Sequence, residues 1–304
     1  MRIAVVGAGG VGGYFGGMLA RAGEDVAFLA RGAHLEAIRQ DGLTVRSIKS
    51  DFTVRAPAAA GPGALGPADL VLFAVKSYDT EAAAALLPPL LGPDAPVLTL
   101  QNGIGNVEQI GKSVGPERVL AGTVHLAVGI ASPGVIRHTA GAGKIVFGEP
   151  QGPPTDRVRR VAAAFQRAGI PHEISGDMPF ALWDKLLFIA GVGGVTALAR
   201  AAIGPLLASA EGLELLRAGL GEVVEVARAR GVELGRDAPD RMLKFASCFP
   251  LDWRSSLARD LEAGRRLEVD AINGAIVRLG RAHGIPTPVN QAIQACLTLH
   301  NPKP

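Results

Sequence analysis

The sequence contains only two cysteines, Cys248 and Cys296, and aromatic residues make up 5% of its 304 residues. The cysteines form no CxxC pair, and the 6 histidines show no spacing typical of metal ligands. Neither a disulfide framework nor a metal site is therefore expected. Charged residues account for 19% of the chain and form no blocks of one sign, which argues against a nucleic-acid partner.

Long apolar runs are absent as well. No uninterrupted stretch reaches the roughly 18 residues that a membrane-spanning helix needs, and the first residues lead into a strand pattern rather than a secretory signal. The sequence therefore predicts a cytoplasmic protein without a membrane partner. Its length of 304 residues favours two domains, and 48% hydrophobic residues suffice to fill them. The net charge of +3 suits an anionic ligand, although solubility explains it equally well.

The first part of the chain alternates short β-branched runs with helical patterns as far as Gly176, which is typical of βαβ units. The early strand candidates are apolar throughout, as in parallel strands covered on both faces, whereas the later ones favour an antiparallel extension. Strands are predicted over residues 2–6, 25–30, 70–75, 97–100, 118–128, 135–138 and 144–147.

Beyond Gly176 the strand patterns stop and helical periodicity takes over. We therefore expect an α/β domain over residues 1–176 and an all-helical domain over residues 177–304. The Ala- and Gly-rich helical half fits a homodimer contact, although close packing within one chain explains it equally well. Helices are predicted over residues 179–200, 210–230, 237–245, 255–264 and 268–283, followed by a short terminal one.

A GxGxxG motif follows the first predicted strand directly and opens the first predicted helix. In this motif Gly7 permits a tight turn, Gly9 lets a pyrophosphate approach the backbone, and Gly12 lets helix and strand pack closely. The helix N-terminus then offers amide donors to phosphates. A tight turn without a ligand is the alternative, but the context on both sides favours a Rossmann-type dinucleotide-binding domain. The motif comprises Gly7, Ala8, Gly9, Gly10, Val11 and Gly12.

Arg31 follows the second predicted strand, where NAD-binding members of this fold usually place an acidic residue against the ribose 2′-hydroxyl. A guanidinium group can instead bind a 2′-phosphate through charge-assisted hydrogen bonds. The sequence therefore favours NADP(H) as cofactor, the alternative being an ordinary exposed arginine. Lys76 and Asn102 follow two further predicted strands, so they are candidates to bind the ribose, the nicotinamide or the substrate. A surface lysine and an Asn-Gly turn remain the alternatives.

These motifs occur together with WDKLL at residues 183–187, SSL at 255–257 and EVDAING at 268–274. In that order, and through RAHGIPTP at 281–288, the chain resembles the ketopantoate reductase (2-dehydropantoate 2-reductase) family over nearly its whole length. The resemblance implies a Rossmann domain joined to a helical domain. It also implies NADPH-dependent reduction of the 2-oxo acid ketopantoate to pantoate, for pantothenate and coenzyme A synthesis.

Carried over by motif, the resemblance makes Lys185 the general acid and Glu268 a carboxylate that orients this lysine, the substrate or the cofactor. Ser256 would bind the substrate carboxylate, and Asn102 and Lys76 would line the nicotinamide and substrate side. The chemistry is independently reasonable, since hydride addition to a ketone leaves an alkoxide that a nearby cation stabilises and protonates. The residues alone leave a surface lysine, a helix-capping serine and a solvated glutamate as alternatives.

The chain departs from the family where asparagines or another polar residue usually stand: it has Ile189, Gly193, Ile203 and Trp253 instead. A pocket that loses hydrogen-bonding groups selects less for a polar substrate. A first alternative is therefore a reductase of the same mechanism for a more apolar 2-oxo acid. A second is a non-catalytic NADPH-binding sensor, which retention of Lys185 disfavours.

Overall fold

The computed structural model describes residues 1–301. By contacts between residues, the chain divides into two units, each treated below on its own. One comprises Met1–Gln101 and Gly105–Met178, and the other comprises Asn102–Ile104 and the described residues from Pro179 onward. The short stretch Asn102–Ile104, which we had expected within the first domain, thus makes its contacts with the helical unit.

The first unit is built on one sheet with the strand order β4-β3-β9-β8-β7-β6-β1-β2-β5, in which β10 also pairs with β9. The part running from β8 to β5 is parallel throughout. Its strands are β1 (Arg2–Val6), β2 (Asp25–Leu29), β3 (Leu43–Ser47), β4 (Phe52–Val54), β5 (Ala58–Ala59), β6 (Leu70–Phe73), β7 (Val97–Thr99), β8 (Val119–Ser132), β9 (Val135–Gly148) and β10 (His172–Ile174).

The order β5-β2-β1-β6-β7-β8 is that of a doubly wound dinucleotide-binding sheet, with its switch point between β1 and β6. All residues of β6, and all of β1 after Arg2, are buried. This burial explains why these strands show apolar runs without alternation. The helices of this unit are α1 (Gly10–Arg21), α2 (Gly32–Asp41), α3 (Thr80–Ala84), α4 (Asn106–Val114) and α5 (Asp156–Arg167).

The antiparallel extension consists of two 14-residue strands, β8 and β9, rather than the three shorter ones predicted. Gly141 and Gly143 suggested a break, but both lie inside β9 with positive φ, where the pairing with β8 shifts register between His125 and Ala127. Four strands were not predicted, namely β3, β4, β5 and β10. They have two to five residues each and no long apolar run.

The second unit is all helical, as predicted. Its longest continuous helical stretch contains a π-helical segment, Phe188–Gly193, where the sequence predicted one uninterrupted helix. The helices are α6 (Met178–Leu187), α7 (Gly194–Ala199) after the π segment, α8 (Ile203–Ala208), α9 (Ala210–Ala229), α10 (Ala238–Ala246), α11 (Ser256–Glu262), α12 (Val269–Ala282) and α13 (Pro288–Thr298).

The stretch Met178–Ala199 is, within the described residues, the one helix whose length and composition would allow it to cross a membrane. However, 61% of its apolar window is buried inside the protein. Leu186, Leu187, Ala190 and Val192 belong to the apolar core of the helical unit. A core helix meets the same criteria, so its apolar composition is explained by packing.

A buried polar network ties this central stretch to the C-terminal helices. The Asn273 side chain, which is fully buried, donates from Nδ2 to the carbonyl of Ala190 in the π segment at 3.1 Å and to Asn290 Oδ1 at 2.9 Å. Asn290 in turn donates to Glu222, whose carboxylate also accepts the backbone N–H groups of Val289 and Asn290 at the start of α13. One asparagine therefore links the π segment, α12 and α13, and through Asn290 also α9.

We predict that Asn273→Ala lowers the free energy of unfolding by about 2 kcal/mol, because the buried Oδ1 of Asn290 loses its donor. Gln291→Ala, on the exposed side of α13, is the matched control and should stay within roughly 0.5 kcal/mol of the parent. Urea unfolding followed by circular dichroism measures both. Equal stability of the two variants would contradict a structural role for the network.

Candidate active site

The GxGxxG segment has the geometry of a phosphate-binding turn. Gly7 has φ +94°, a conformation that favours glycine, and a Cβ on Gly12 would lie 2.1 Å from the Gly7 carbonyl oxygen. A Cβ on Gly9, in contrast, would meet no other protein atom within 4 Å. The space in front of Gly9, at the N-terminus of α1, is therefore open to a ligand. These features fit the pyrophosphate of a dinucleotide.

The histidine His34 connects the glycine turn to the strands of the extension. Its Nδ1 accepts the backbone N–H of Gly134 at 3.0 Å, so its Nε2 carries the proton that is donated to the Ala8 carbonyl at 2.8 Å. The two bonds together use one ring nitrogen as acceptor and the other as donor. Sequence reasoning had not identified His34, because a histidine in the first turn of a helix carries no signature of its own.

Arg31 lies two residues after the end of β2, at the N-cap of α2, with its side chain 85% exposed. Its Nη2 is 2.5 Å from Oδ2 of Asp79, in the turn that follows β6. Because β1 lies between β2 and β6, this ion pair spans the carboxyl end of β1, where the glycine turn begins. The guanidinium group is therefore at the cofactor edge of the sheet, in contact with a carboxylate that the sequence analysis did not consider.

Lys76 lies at the same edge, at the start of the turn after β6, and is exposed. That turn is held by Gln101, which is buried and donates from Nε2 to the Val75 carbonyl at 3.1 Å and to the Thr80 hydroxyl at 2.7 Å. Gln101 thus fixes the ends of β6 and β7 relative to each other. The first unit consequently brings together the glycine turn, Arg31 and Lys76.

Asn102 belongs to the helical unit by its contacts. The next residue, Gly103, has φ +93°, and a Cβ there would lie 2.8 Å from the carbonyl oxygen of Ala271. Glycine thus lets this loop pack closely on the first turn of α12. That turn begins at Glu268, whose carbonyl accepts the N–H groups of Ala271 and Ile272, and Glu268 itself is buried. Asn102 and Glu268 are therefore brought to the same end of α12.

Lys185 lies in the last turn of α6, immediately before the π segment. Burial lowers the pKa of its ammonium group from 10.5 to about 8, because removal from water disfavours the charge. The adjacent Asp184 pairs with Arg241 of α10 at 2.7 Å. Lys185 is thus a buried amine with a pKa near neutrality, which a surface lysine would not have.

The two consecutive serines have different positions. Ser255 is buried, donates to the Gly193 carbonyl at 3.0 Å and accepts the N–H of Ala258 at 3.0 Å as the N-cap of α11. Ser256 is exposed at the first position of α11. The capping role that we had considered for Ser256 therefore belongs to Ser255, and the hydroxyl of Ser256 lies at the helix N-terminus where an anion can bind.

The four positions that depart from the family are not equivalent. Ile203 is fully buried in the helical core, and Gly193 is buried against Ser255. Ile189 and Trp253 are only partly buried and lie at the rim of that core. Among residues 1–301, no group of three or more His, Cys, Asp or Glu residues is arranged to hold a metal ion.

Two family models match the chain in succession. The model described as "Ketopantoate reductase PanE/ApbA" matches residues 3–152, and that described as "Ketopantoate reductase PanE/ApbA C terminal" matches residues 177–301. The chain belongs to the ketopantoate reductase family. It is an oxidoreductase of the NAD(P)-dependent class, and the resemblance noted in the sequence is confirmed.

Individual relatives agree with this assignment. The chain is 37% identical over 293 residues to the 2-dehydropantoate 2-reductase of Halobacterium salinarum, covering 95% of each chain. It is 31% identical over 300 residues to the uncharacterized oxidoreductase YkpB of Bacillus subtilis, covering 99% of each. The crystal structure of a PanE/ApbA family ketopantoate reductase from Ralstonia eutropha has a TM-score of 0.91 and 39% identity, covering 99% of this chain and 98% of that one.

Two glycines of the turn allow a test of the predicted phosphate site. Gly12→Ala should destabilise the protein by on the order of 2 to 3 kcal/mol, because the new Cβ overlaps the Gly7 carbonyl. Gly9→Ala should change stability by less than about 1 kcal/mol, since its Cβ meets no protein atom. It should nevertheless weaken NADPH binding at least about tenfold, because the methyl group occupies the place of the pyrophosphate.

Thermal melts without cofactor and calorimetric titration with NADPH separate the two effects. Normal NADPH affinity in a stable Gly9→Ala protein would mean that the pyrophosphate binds elsewhere.

Proposed function

We propose that this chain reduces the 2-oxo group of ketopantoate with NADPH, giving pantoate for pantothenate and coenzyme A synthesis. The observation that carries this proposal is the partly buried Lys185, whose amine is removed from water so that its pKa is lowered to about 8, in a chain that also has a dinucleotide-binding turn. The names of the relatives, 2-dehydropantoate 2-reductase among them, support the choice of substrate. Turnover of NADPH with a panel of 2-oxo acids that includes ketopantoate tests it.

The bound dinucleotide would supply a hydride to the 2-oxo carbon. The carbonyl oxygen then needs a proton, and we assign its donation to Nζ of Lys185. A donor with a pKa of about 8 is mostly protonated at neutral pH and releases its proton more readily than an ordinary lysine. Before the proton is transferred, the positive charge of the Lys185 ammonium group also stabilises the negative charge that develops on the carbonyl oxygen.

Each of the other predicted residues has a proposed role within its own unit, either in the helical unit or at the edge of the sheet. We propose that Ser256, at the N-terminus of α11, binds the substrate carboxylate and that Glu268, at the start of α12, orients Lys185 or the substrate hydroxyl. Asn102, held on α12 by Gly103, would contact the nicotinamide or the substrate. Lys76, at the cofactor edge, would contact the ribose or the substrate.

Arg31 supports NADP(H) rather than NAD(H), because its exposed guanidinium group lies where the ribose 2′ position is expected. No carboxylate stands in its place after β2, but Asp79 pairs with it from the turn after β6. A 2′-phosphate would compete with Asp79 for the same donors. The preference for NADPH therefore depends on how readily Arg31 exchanges its ion pair with Asp79 for one with the 2′-phosphate.

Arg31→Asp should weaken NADPH binding by about 10- to 100-fold, because charge-assisted hydrogen bonds are lost, and should change NADH binding far less. Asp79→Asn removes the competing charge while keeping a side chain of the same shape, so it should strengthen NADPH binding without affecting NADH. Fluorescence titration with both cofactors measures these affinities. Equal loss for both cofactors in Arg31→Asp would remove the assignment of this residue to the 2′-phosphate.

Lys185→Met should lower kcat by about 10²- to 10⁴-fold while leaving NADPH affinity nearly unchanged, as expected for a general acid. In the parent protein, reduction should slow as pH rises through about 8, because the protonated amine is lost there rather than near 10.5. Rates with ketopantoate from pH 6 to 10 measure this. A profile that stays flat through pH 9, or turnover that survives in Lys185→Met, would place the proton donor elsewhere.

The same variant should be more stable than the parent at neutral pH. The folded lysine has a pKa of about 8 and the unfolded one about 10.5, so between these values the unfolded chain binds the extra proton. Stability therefore rises with pH across this window, and the penalty for burial is fully present below it. Lys185→Met removes this penalty, which should raise the free energy of unfolding by about 3 kcal/mol at pH 7, and it abolishes the rise of stability with pH.

A second candidate function is reduction of a more apolar 2-oxo acid by the same residues. Ile189 and Trp253, partly buried at positions that are usually polar in the family, favour it. The same panel of 2-oxo acids separates the two candidates. NADPH binding without turnover of any 2-oxo acid would instead indicate a sensor that does not catalyse.

A further inference from the structure

Four aromatic side chains of the helical unit form one contiguous cluster, although aromatic residues make up only 5% of the chain. Phe188 lies 5.3 Å from Phe245, 5.7 Å from Phe249 and 5.7 Å from Trp253, measured between ring centroids. Phe249 also lies 4.8 Å from Trp253 and 5.2 Å from Phe245. None of the four is fully buried, and Phe245 is 50% exposed. This aromatic cluster is thus a partly open surface at the rim of the core.

The cluster is fixed to the helix that carries the proposed general acid. Asp184 of α6 pairs with Arg241, and Phe188 of the π segment contacts Phe245, so two pairs with i, i+4 spacing hold α10 beside this continuous helical stretch. Phe188 is the third residue after Lys185 and therefore lies on the neighbouring part of the same helix face, one turn further on. The aromatic cluster thus begins one helical turn along the chain from Lys185.

At Trp253, the aromatic cluster lies close in sequence to the paired serines. Trp253 stands two residues before Ser255, which is hydrogen-bonded to Gly193 at the end of the π segment. Ser256, the proposed carboxylate ligand, follows at the start of α11. The aromatic cluster therefore contains a residue three positions from each polar residue of the proposed site in this unit: Phe188 follows Lys185 and Trp253 precedes Ser256.

We infer that the aromatic cluster binds the side chain of the substrate, and that the chain reduces 2-oxo acids with an aryl side chain. This inference rests on the proposed reductase function. Aromatic rings favour edge-to-face and offset contacts with a further ring, at centroid distances like those within the cluster. A hydroxylated aliphatic side chain such as that of ketopantoate would have its hydroxyl group against an apolar wall, where an unpaired polar group is costly.

The reaction with such a substrate is balanced as for ketopantoate. The C=O π bond of the 2-oxo acid breaks, a C–H bond forms with the hydride from NADPH, and an O–H bond forms with the proton from Lys185. NADPH is oxidised to NADP⁺, and the aryl 2-oxo acid is reduced to an aryl 2-hydroxy acid.

The experiment compares kcat/KM for phenylpyruvate and benzoylformate with kcat/KM for ketopantoate, using NADPH and the full-length protein. We expect the aryl acids to be reduced at least as efficiently as ketopantoate. Trp253→Asn should lower the ratio of kcat/KM for the aryl acids to kcat/KM for ketopantoate by about tenfold. Trp253→Phe should retain most of the kcat/KM for the aryl acids. Phe245→Ala should act in the same direction as Trp253→Asn. Phe180 is a surface phenylalanine of α6 that is 38% exposed. Phe180→Ala is therefore the matched control and should leave the ratio of aryl to ketopantoate kcat/KM unchanged.

Binding is followed separately from activity by tryptophan fluorescence on titration with phenylacetate, an unreactive aryl acid. Quenching in the parent protein and its loss in Trp253→Phe would place the aryl group at the cluster. Light scattering reports whether the cluster is instead covered by a second copy of the chain. Association that Phe245→Ala abolishes, with an unchanged ratio of aryl to ketopantoate efficiency, would overturn the inference.

The remaining outcomes separate this inference from the proposed function. Turnover of ketopantoate without turnover of aryl acids overturns the inference and leaves the proposed function standing. Turnover of aryl acids with the same ratio in Trp253→Asn and Phe180→Ala overturns the location of the side-chain site. Absence of turnover with any 2-oxo acid overturns both proposals.

Discussion

Removal of the Lys185 ammonium group from water lowers its pKa to about 8. This burial is energetically unfavourable, and it persists only because the surrounding helices hold this part of the chain in place. The apolar residues that follow Lys185 pack into the core, while the Asn273 amide binds the backbone of the π segment. Asp184, on the solvent side, fastens the same helix to α10 through Arg241. Stability that the helical unit gains elsewhere therefore supports one unfavourable position, as is common at functional sites.

The predicted cofactor site of the sheet unit depends on backbone shape and exposed charged side chains rather than on a buried charged group. Gly7 and Gly12 bring strand and helix close enough that no side chain fits between them, while Gly9 faces open space. His34 and Gln101 then fix the turns on either side by hydrogen bonds to backbone carbonyls. Phosphate recognition in this unit therefore depends mainly on backbone positions, and cofactor preference on exposed side chains such as Arg31 and Asp79.

The sequence allowed prediction of the parallel strands and the glycine turn, because buried parallel strands leave long apolar runs and the motif has a fixed position between strand and helix. The helical character of the second unit was likewise predictable, from the helical periodicity of its apolar residues. Features that depend on distant partners were not predictable. Asn273 is 83 residues from Ala190, and Arg31 is 48 from Asp79, so neither pairing has a local pattern. The short strands β4 and β5 carry too few residues to show a period.

The π segment has a consequence for how this protein tolerates changes of length. A π turn holds one more residue than an α turn, so everything after it is rotated by about 100° relative to an uninterrupted helix. Removing a single residue from Phe188–Gly193 would restore a regular helix and leave α7 facing its present neighbours, because the π turn already absorbs the extra residue. Substitutions at Ile189 leave that rotation intact. This helix can therefore lose one residue within the π segment without a change of packing, whereas a one-residue insertion or deletion in α6 or α7 that no π turn absorbs would alter which face meets the core.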